Sequence, residues 1–364
     1  YKLTYKTIDE NGDSTTATGA VSLPVGKDCP AAIISYQHGT STKKTSVPSH
    51  LSTEVLIGTI ASANGYVGVM PDYLGLGDGP GFHLYHHAKT EATATIDMLR
   101  ATREFCANNG ISLSGEIFLG GYSQGGHATM AAHQEIQTYH DDEFNVVASC
   151  PMAGAYDMSG VMRARLESNV PYSQPAYLPY LFLGYNQVYD MYDSVQQYMV
   201  SPYDATIPPL FDGTNNIGVI NNAMPSVPKN IVPVSEFNAF VSDSLHPMRV
   251  ALRENDTYNW VPNVPMLLLY CSGDEVVPHQ NSIVAYNAFV AQGATDVDTF
   301  NISPALGHGP CAEIAIIMSK SWFDGMRGDC LSVDFAQTNA TTQTSTDATI
   351  DLTPACGSGP YTYL

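Results

Sequence analysis

The segment Gly121-Tyr122-Ser123-Gln124-Gly125 carries a serine between two glycines, the spacing of a nucleophile on a tight turn. The apolar residues 117–120 predict a strand before the turn, and residues 128–138 favour a helix after it. Glycines tolerate a strained backbone and close packing, so this order would present the hydroxyl at the carboxyl end of a sheet. We therefore predict that Ser123 is a catalytic nucleophile.

A serine hydroxyl is a weak nucleophile near neutral pH and needs a base that is oriented by an acid. Asp274 follows the apolar run 265–270, and His308 lies in a glycine-flanked loop after the next apolar run. A serine, an aspartate and a histidine that follow strands in this order predict a catalytic triad. Glu275 is the alternative acid, but it would point away from the site if Asp274 points inward.

The sequence Gln-His-Gly-Thr at residues 37–40 ends an earlier apolar run. Gly39 would let the backbone turn, so that the amide of Thr40 can point at a substrate oxygen. We predict an oxyanion hole formed by the amides of Thr40 and Gln124. His127, in the helix after the nucleophile, is expected near the site in a structural role rather than a catalytic one.

Metal binding is a weaker interpretation of the remaining histidines and cysteines. His83, His86 and His87 cluster near Asp72 and Asp78, but they lie in a segment without a helical pattern, so they do not form the helical His-x-x-x-His motif of a zinc site. No Cys-x-x-Cys pair occurs among the seven cysteines, which stand at positions 29, 106, 150, 271, 311, 330 and 356. We predict neither a metal nor a cofactor.

Two cysteines flank the predicted acid and base. Cys271 stands three residues before Asp274, and Cys311 stands three residues after His308. A disulfide between them would tie the two loops together, and a Cys330–Cys356 bridge could fasten the tail, with Cys150 buried and free. Cysteine spacing alone does not fix this connectivity.

Short apolar runs alternate with segments of helical spacing along most of the chain. Ala92, Ile96, Leu99 and Phe105, for example, recur at a period near 3.6. This alternation predicts the α/β class, with a mostly parallel central sheet and helices on both faces. Residues 1–24 predict an N-terminal hairpin that turns at Asn11-Gly12.

Residues 156–263 break this rhythm, because they are rich in Pro and Tyr and contain no convincing strand. We interpret them as an inserted, mainly helical cap, since so long a loop is unusual in a compact domain. The core would then consist of two parts. Residues 1–155 carry the hairpin, oxyanion loop and nucleophile turn, and residues 264–364 carry the acid and histidine loops and the C-terminal tail.

A stripe of apolar and aromatic residues at helical spacing runs through the predicted cap and consists of Tyr185, Val188, Tyr189, Tyr192, Val195 and Met199. The simpler interpretation is that the stripe packs the cap onto the core. The functional alternative is that its tyrosines, which combine an apolar face with a hydroxyl, line a pocket for short-chain or aromatic groups. The residues of this predicted pocket are His38, Gly39, Tyr122, His127, Tyr185, Tyr189 and Tyr192, with walls drawn also from Tyr172, Tyr177 and Tyr180.

The charge balance restricts the class of partner. Of 364 residues, 35 are acidic and 15 are basic, so the formal net charge is −20, which argues against nucleic-acid binding. No apolar run reaches the roughly 18 residues that would span a membrane. The sequence starts at Tyr1 with neither a Met nor an apolar leader, as expected of a processed secreted protein or of a trimmed chain.

Taken together, these motifs resemble the secreted lipase/esterase branch of the α/β-hydrolases. That branch includes bacterial cell-wall-degrading esterases of plant pathogens and, more distantly, the fungal lipase A type. The resemblance implies an α/β-hydrolase sheet, no cofactor, ester hydrolysis and export from the cytoplasm. The resemblance says least about the substrate, because residues 156–263, where the choice of substrate would be made, match the family least. The matching segments are 19–24, 37–40, 71–77, 94–101, 121–127, 273–274 and 307–308.

We therefore predict a serine carboxylic-ester hydrolase that acts through an acyl-enzyme on small-molecule or polymer-linked esters. One alternative keeps the triad and cleaves peptides; a serine aminopeptidase of this kind would need an acidic pair to hold a substrate amine. Another alternative is a non-catalytic binding protein on a hydrolase scaffold, which three triad residues in the expected order disfavour.

Overall fold

The computed structural model describes residues 1–25, 29–328, 333–338 and 349–354. Its strands are β1 (Lys2–Ile8), β2 (Ser14–Ser22), β3 (Ala31–Gln37), β4 (Val67–Pro71), β5 (Leu113–Tyr122), β6 (Asn145–Met152), β7 (Met266–Tyr270), β8 (Val297–Asn301), β9 (Val333–Thr338) and β10 (Thr349–Pro354). Its α-helices are α1 (Val55–Ala63), α2 (Ala88–Asn108), α3 (Gln124–Tyr139), α4 (Arg163–Glu167), α5 (Tyr177–Tyr189), α6 (Tyr203–Thr206), α7 (Ile217–Ala223), α8 (Val234–Ser242), α9 (Pro247–Glu254), α10 (Gln280–Ala291) and α11 (His308–Asp324).

Eight strands form one mixed sheet in the order β1-β2-β4-β3-β5-β6-β7-β8. The predicted hairpin is β1 with β2, and β2 also runs antiparallel to β4. From β4 to β8 every neighbouring pair is parallel. Strands β9 and β10 form a separate antiparallel pair. The prediction of an α/β fold with a mostly parallel sheet is confirmed.

Alternation along β5 shows how helices cover both faces of the sheet. Phe118 packs in a cluster with residues of α1 and α11, such as Ala61 and Phe323. Its neighbours Ile117 and Leu119 pack with residues of α2 and α3. Because successive side chains of a strand point to opposite faces, the two helix pairs lie on opposite sides. Because the strands from β4 to β8 run parallel, their carboxyl ends lie at one edge of the sheet, and helices flank this sheet on both faces.

The segment between β6 and β7, residues 153–265, contains helices α4 to α9 and is called the inserted segment below. Most of its large apolar side chains form one cluster, with Leu181, Tyr198 and Leu252 among the buried members, and Tyr85 from the loop before α2 packs in the same cluster. The boundaries of a cap at 156 and 263 stay a prediction. Throughout the described ranges, we find no helix with the length and apolar character needed to cross a membrane.

A disulfide joins Cys271, directly after β7, to Cys311 in α11, which confirms the predicted bridge. Cys106 and Cys150 are buried free thiols, and Cys29 is disulfide-bonded. The predicted pair Cys330–Cys356 lies outside the described residues. The Cys271–Cys311 bond links two residues that are 40 positions apart in the sequence and closes a covalent loop at the edge of the sheet.

Replacing both Cys271 and Cys311 by serine should lower the free energy of unfolding by about 2 to 4 kcal/mol, because an open chain of this length gains conformational entropy when it unfolds. Urea unfolding followed by circular dichroism measures the change. Cys106→Ala, which removes a buried free thiol, serves as the control. Unfolding free energies of the double variant and wild type that agree within error would contradict this role of the bond.

Candidate active site

Ser123 occupies the turn between β5 and α3 with φ 62° and ψ −122°, a strained backbone for a residue with a Cβ. The flanking glycines make this turn possible. A Cβ on Gly121 would lie 2.3 Å from the carbonyl oxygen of Gly125, and one on Gly125 would lie 1.9 Å from that of Gln37. The local sequence therefore places Ser123 at the carboxyl edge of the sheet, as the motif predicts.

Asp274 and His308 meet at the same edge. Asp274 Oδ2 lies 2.6 Å from His308 Nδ1, and the aspartate side chain is 1 % exposed. The other carboxylate oxygen, Oδ1, accepts the backbone N–H groups of Val276 and Val277, each at 2.8 Å. With both oxygens acting as acceptors, Nδ1 of His308 carries a proton, which leaves Nε2 to accept one when the ring is neutral.

The backbone of His308 is held by two more side chains. Glu275 Oε2 accepts the His308 backbone N–H at 3.0 Å, so the alternative acid caps the start of α11 instead of binding the ring. The Tyr122 hydroxyl donates to the His308 carbonyl at 2.6 Å, and the two rings are 4.9 Å apart. Tyr122 directly precedes Ser123, so the side chain that binds the backbone of His308 belongs to the neighbour of the serine.

Within the described residues, no hydrogen bond joins the Ser123 hydroxyl to the His308 ring. Hydrogen bonds between catalytic groups are often long until the transition-state complex forms. The arrangement provides a partly exposed imidazole held by a buried carboxylate, beside a serine on a strained turn. This is the composition of a nucleophile, a base and an orienting acid.

The oxyanion loop follows β3 and passes close to the serine. A Cβ on Gly39 would lie 3.9 Å from the Cβ of Ser123, and the Thr40 hydroxyl is 3.1 Å from the hydroxyl of Tyr85. The amide of Gln124 is the first of α3, so it has no acceptor within its own helix. These positions suit the two predicted amide donors, whose role stays a prediction.

His38 stabilises the backbone of the oxyanion loop. Its ring is buried against Tyr73, with ring centroids 4.5 Å apart, and its Nδ1 lies 2.7 Å from the carbonyl oxygen of Gly39. The Tyr73 hydroxyl donates to the His38 carbonyl at 2.9 Å. These contacts hold the backbone of the loop, and the predicted part of His38 in a substrate pocket stays untested.

A chain of buried polar groups lies beneath the nucleophile turn. The Gln124 side-chain nitrogen is 2.7 Å from both His83 Nε2 and Glu91 Oε1. Glu91 Oε2 lies 2.7 Å from His127 Nδ1, and His127 Nε2 lies 3.0 Å from the carbonyl oxygen of Asn255. The side chains of Glu91 and His127 are 1 % and 0 % exposed. His127 therefore belongs to an internal ion pair near the nucleophile.

The histidines in this group of buried polar side chains differ in the direction in which their pKa values are shifted. Burial lowers the pKa of His83 to about 4 and holds the pKa of His86 well below its ordinary value. For His127, burial also acts to lower the pKa, but the carboxylate of Glu91 outweighs it and the pKa is raised. Of these three histidines, His127 therefore holds a second proton most readily.

A divalent cation has one candidate site among the described residues. The ligand atoms of His86, Glu91 and His127 lie within 4.8 Å of one another, and all three residues are buried. This is a different set from the predicted cluster of His83, His86 and His87. Glu91 and His127 already hydrogen-bond each other, Glu91 also accepts from Gln124, and His127 also faces the carbonyl of Asn255.

The tyrosines of the predicted pocket make internal contacts in and around the inserted segment. The Tyr185 hydroxyl donates to the carbonyl of His86, that of Tyr189 accepts from Asn255, and that of Tyr192 donates to Glu236. These contacts agree with the simpler packing interpretation, and a role in binding substrate stays a prediction.

Other tyrosines approach the catalytic loops more closely. The Tyr172 hydroxyl donates to the carbonyl of Val276, two residues after Asp274. The ring of Tyr177 lies 5.6 Å from that of Tyr85, which contacts Thr40. Tyr85 was not among the predicted pocket residues, since nothing in its local sequence distinguishes it from a core residue.

Comparisons with known proteins agree with this fold. Residues 42–169 match the secretory lipase family. A Legionella pneumophila protein described as a hydrolase is 29 % identical, with a TM-score of 0.84 over 90 % of this chain and 88 % of that chain. The rice cell wall degrading esterase LipA from Xanthomonas oryzae is 28 % identical, with a TM-score of 0.79 over 90 % of each chain.

A more distant likeness supports the fold alone. Candida antarctica lipase A is 18 % identical, with a TM-score of 0.70 over 90 % of this chain and 78 % of that chain. A sequence search of curated proteins finds no match.

The fold therefore identifies the protein as an α/β-hydrolase. The predicted resemblance to the secreted lipase/esterase branch is confirmed, and the protein is a hydrolase of the esterase/lipase type that acts on ester bonds.

Proposed function

We propose that the protein is a serine carboxylic-ester hydrolase in which Ser123, His308 and Asp274 form the catalytic triad. Nε2 of His308 takes the proton of the Ser123 hydroxyl as its oxygen attacks the ester carbonyl. The imidazolium that forms is stabilised by Asp274. The protonated Nε2 then donates to the departing alcohol, and an acyl-enzyme remains on Ser123.

In the second half of the reaction, His308 removes a proton from water, which attacks the acyl-enzyme and releases the acid. The amides of Thr40 and Gln124 donate to the carbonyl oxygen while it carries negative charge in each tetrahedral intermediate. The observation that carries the proposal is the 2.6 Å contact between Asp274 Oδ2 and His308 Nδ1 at the strand edge that also bears the strained Ser123.

The proposed substrates are short-chain or aromatic esters, including esters attached to polysaccharides or other polymers. A cleft with about 440 Å³ of empty space, part of it open to solvent, lies between residues 42–44 and the inserted segment, and its lining includes Phe82, Tyr180 and Phe211. Ser123 and His308 are not among its lining residues, but Tyr180 stacks on Tyr85, whose hydroxyl contacts that of Thr40. Aromatic faces beside a polar rim suit rings and sugars better than a long flexible chain. The similar Xanthomonas enzyme is described as cell wall degrading, which agrees with a polymer-linked ester.

We also propose that residues 156–263 form a cap and that the protein is exported. The apolar cluster formed mostly by the inserted segment supports the cap, and the match to a secretory family supports export.

A panel of p-nitrophenyl esters and amino-acyl anilides tests the reaction and the substrate class together. We expect turnover of acetate, butyrate and aryl esters, with kcat/KM falling for acyl chains beyond about eight carbons, because a short aromatic pocket buries no more of a longer chain. Anilides should be cleaved far more slowly. Preferential cleavage of anilides would favour the aminopeptidase alternative, and a strong preference for long-chain triglyceride emulsions would exclude the proposed pocket.

A further inference from the structure

The protons of the buried chain beneath the nucleophile turn can be assigned from its acceptors. His83 Nδ1 lies 2.9 Å from the carbonyl oxygen of Leu74, which only accepts, so this nitrogen donates. His83 Nε2 then accepts from the side chain of Gln124, whose second N–H points to Glu91 Oε1. Both side-chain hydrogens of Gln124 are therefore held by buried acceptors.

His127 lies between two groups that accept hydrogen bonds. Its Nδ1 faces the carboxylate of Glu91, and its Nε2 faces the backbone carbonyl of Asn255. Donation from both nitrogens makes the ring an imidazolium and Glu91 its counter-ion, in agreement with the raised pKa of His127. A buried pair that lost one partner would leave an uncompensated charge, so such pairs are sensitive to substitution.

We propose that Glu91 is a positioning residue of the oxyanion hole, which it orients through the side chain of Gln124, with His127 as its buried counter-ion. The inference rests on the proposed function, because it takes the Gln124 amide as an oxyanion donor. The side chain and amide of Gln124 share one Cα, so anchoring the side chain restricts the direction of the N–H. Misplacing a reacting group by about 1 Å can cost on the order of 10²-fold in rate.

The chain of hydrogen bonds ends in the inserted segment. Asn255, directly after α9, is 1 % exposed and accepts the backbone N–H of Ala88 at 2.8 Å through its side-chain oxygen. Its side-chain nitrogen donates to the Tyr189 hydroxyl at 2.9 Å. The orientation of Gln124 therefore depends, through His127 and Glu91, on a residue that docks the inserted segment onto the start of α2.

A bound divalent cation is the competing account of the same residues. Within the described part of the chain, His86 Nδ1 is buried without a hydrogen-bond partner, near Glu91 and His127. An ion there would have to displace the proton between Glu91 and His127. Metal content therefore belongs in the test of the proposal.

The test compares three substitutions of Glu91. Glu91→Ala removes the anchor. Glu91→Asp keeps the charge but shortens the side chain by about 1.5 Å, so it cannot reach both Gln124 and His127. Glu91→Gln keeps both hydrogen bonds if His127 becomes neutral, because the new amide can accept from Gln124 and donate to His127 Nδ1. His133→Ala is the control, because His133 is a buried histidine of α3, the helix that carries Gln124 and His127, and its ring contacts Ser149 instead of Glu91.

We expect Glu91→Ala and Glu91→Asp to lower kcat by about 10- to 100-fold, with KM changed by less than about 3-fold, because an oxyanion donor acts mainly in the transition state. Inhibition by a boronic acid that mimics the tetrahedral intermediate should weaken by a similar factor. Glu91→Gln should recover kcat to within about 3-fold of wild type, since the donor stays anchored. His133→Ala should lower Tm and leave kcat unchanged.

Wild-type kcat in folded Glu91→Ala or Glu91→Asp would overturn the proposal, as would equal losses in Glu91→Asp and Glu91→Gln. Stoichiometric zinc in the purified wild-type protein, with kcat lost on chelation and restored by zinc, would replace it with a metal site. If Glu91→Ala does not fold, the comparison of Glu91→Asp with Glu91→Gln decides. A failure of the triad itself is recognised separately, because Ser123→Ala would then retain turnover.

Discussion

Replacing Ser123 by alanine is expected to lower ester turnover by about 10⁴- to 10⁶-fold, since the loss of the nucleophile removes the acyl-enzyme route. The fold should be unchanged, because no hydrogen bond of the described residues involves the Ser123 hydroxyl. Alanine also tolerates the positive φ of this turn no worse than serine does. Initial rates on p-nitrophenyl acetate, with Tm measured in parallel, provide the test.

Covalent labelling separates the nucleophile from other serines. A p-nitrophenyl alkylphosphonate should add one phosphonyl group to the wild-type protein, on the peptide that contains Ser123, and none to Ser123→Ala. Ser159→Ala is a control, because Ser159 lies in the inserted segment and its hydroxyl bonds Asp256. Retention of one tenth of the wild-type turnover by Ser123→Ala would exclude Ser123 as the nucleophile.

The features that the sequence predicts best are those that depend on neighbours along the chain. The turn at Ser123 needs glycines at fixed offsets, because Gly121 and Gly125 each approach a carbonyl oxygen too closely for a Cβ. Asp274 and His308 each follow a strand of a parallel sheet, so both lie at the edge that carries the serine. The apolar runs predict where these strands end, while the 2.6 Å contact between the two side chains is known only from the structure.

Glu91 shows why the sequence does not predict the buried hydrogen bonds beneath the nucleophile turn. It lies 33 residues before Gln124 and 36 before His127, and no local pattern reveals a pairing over such a distance. The available signal was its place on α2. Glu91 shares a helical face with Thr95, Met98 and Thr102, all of them buried, so a carboxylate there must find a partner inside the protein.

The aromatic stripe marks a second limit of sequence reasoning. Helical spacing predicts one helical face from Tyr185 to Met199, but α5 ends at Tyr189, where Asp190 has a left-handed backbone, so Tyr192, Val195 and Met199 lie beyond that helix. The spacing also does not say which surface covers the face that Tyr185 and Tyr189 share. In the structure Tyr185 is buried and donates to the carbonyl of His86, on the loop before α2. Periodicity can therefore predict burial, while the identity of the neighbour comes only from the tertiary fold.

Asp274→Asn should lower kcat by about 10⁴-fold with little change in KM, although the two side chains have almost the same shape. The reason lies in how the carboxylate is held. Its Oδ1 accepts two backbone N–H groups, from Val276 and Val277, so the oxygen of the new amide will keep that position. The amide nitrogen must then face His308 Nδ1, to which it donates.

A donor at that position forces the neutral ring of His308 to carry its proton on Nε2, the nitrogen that must accept the proton of Ser123. The variant would then fold with its Tm near that of wild type and have a base in the wrong tautomer. Rates on p-nitrophenyl acetate and Tm are the measurements. Asp298→Asn, which removes an exposed carboxylate from β8, should leave both unchanged. A loss of less than about 10-fold in Asp274→Asn would show that Asp274 does not set the tautomer of the base.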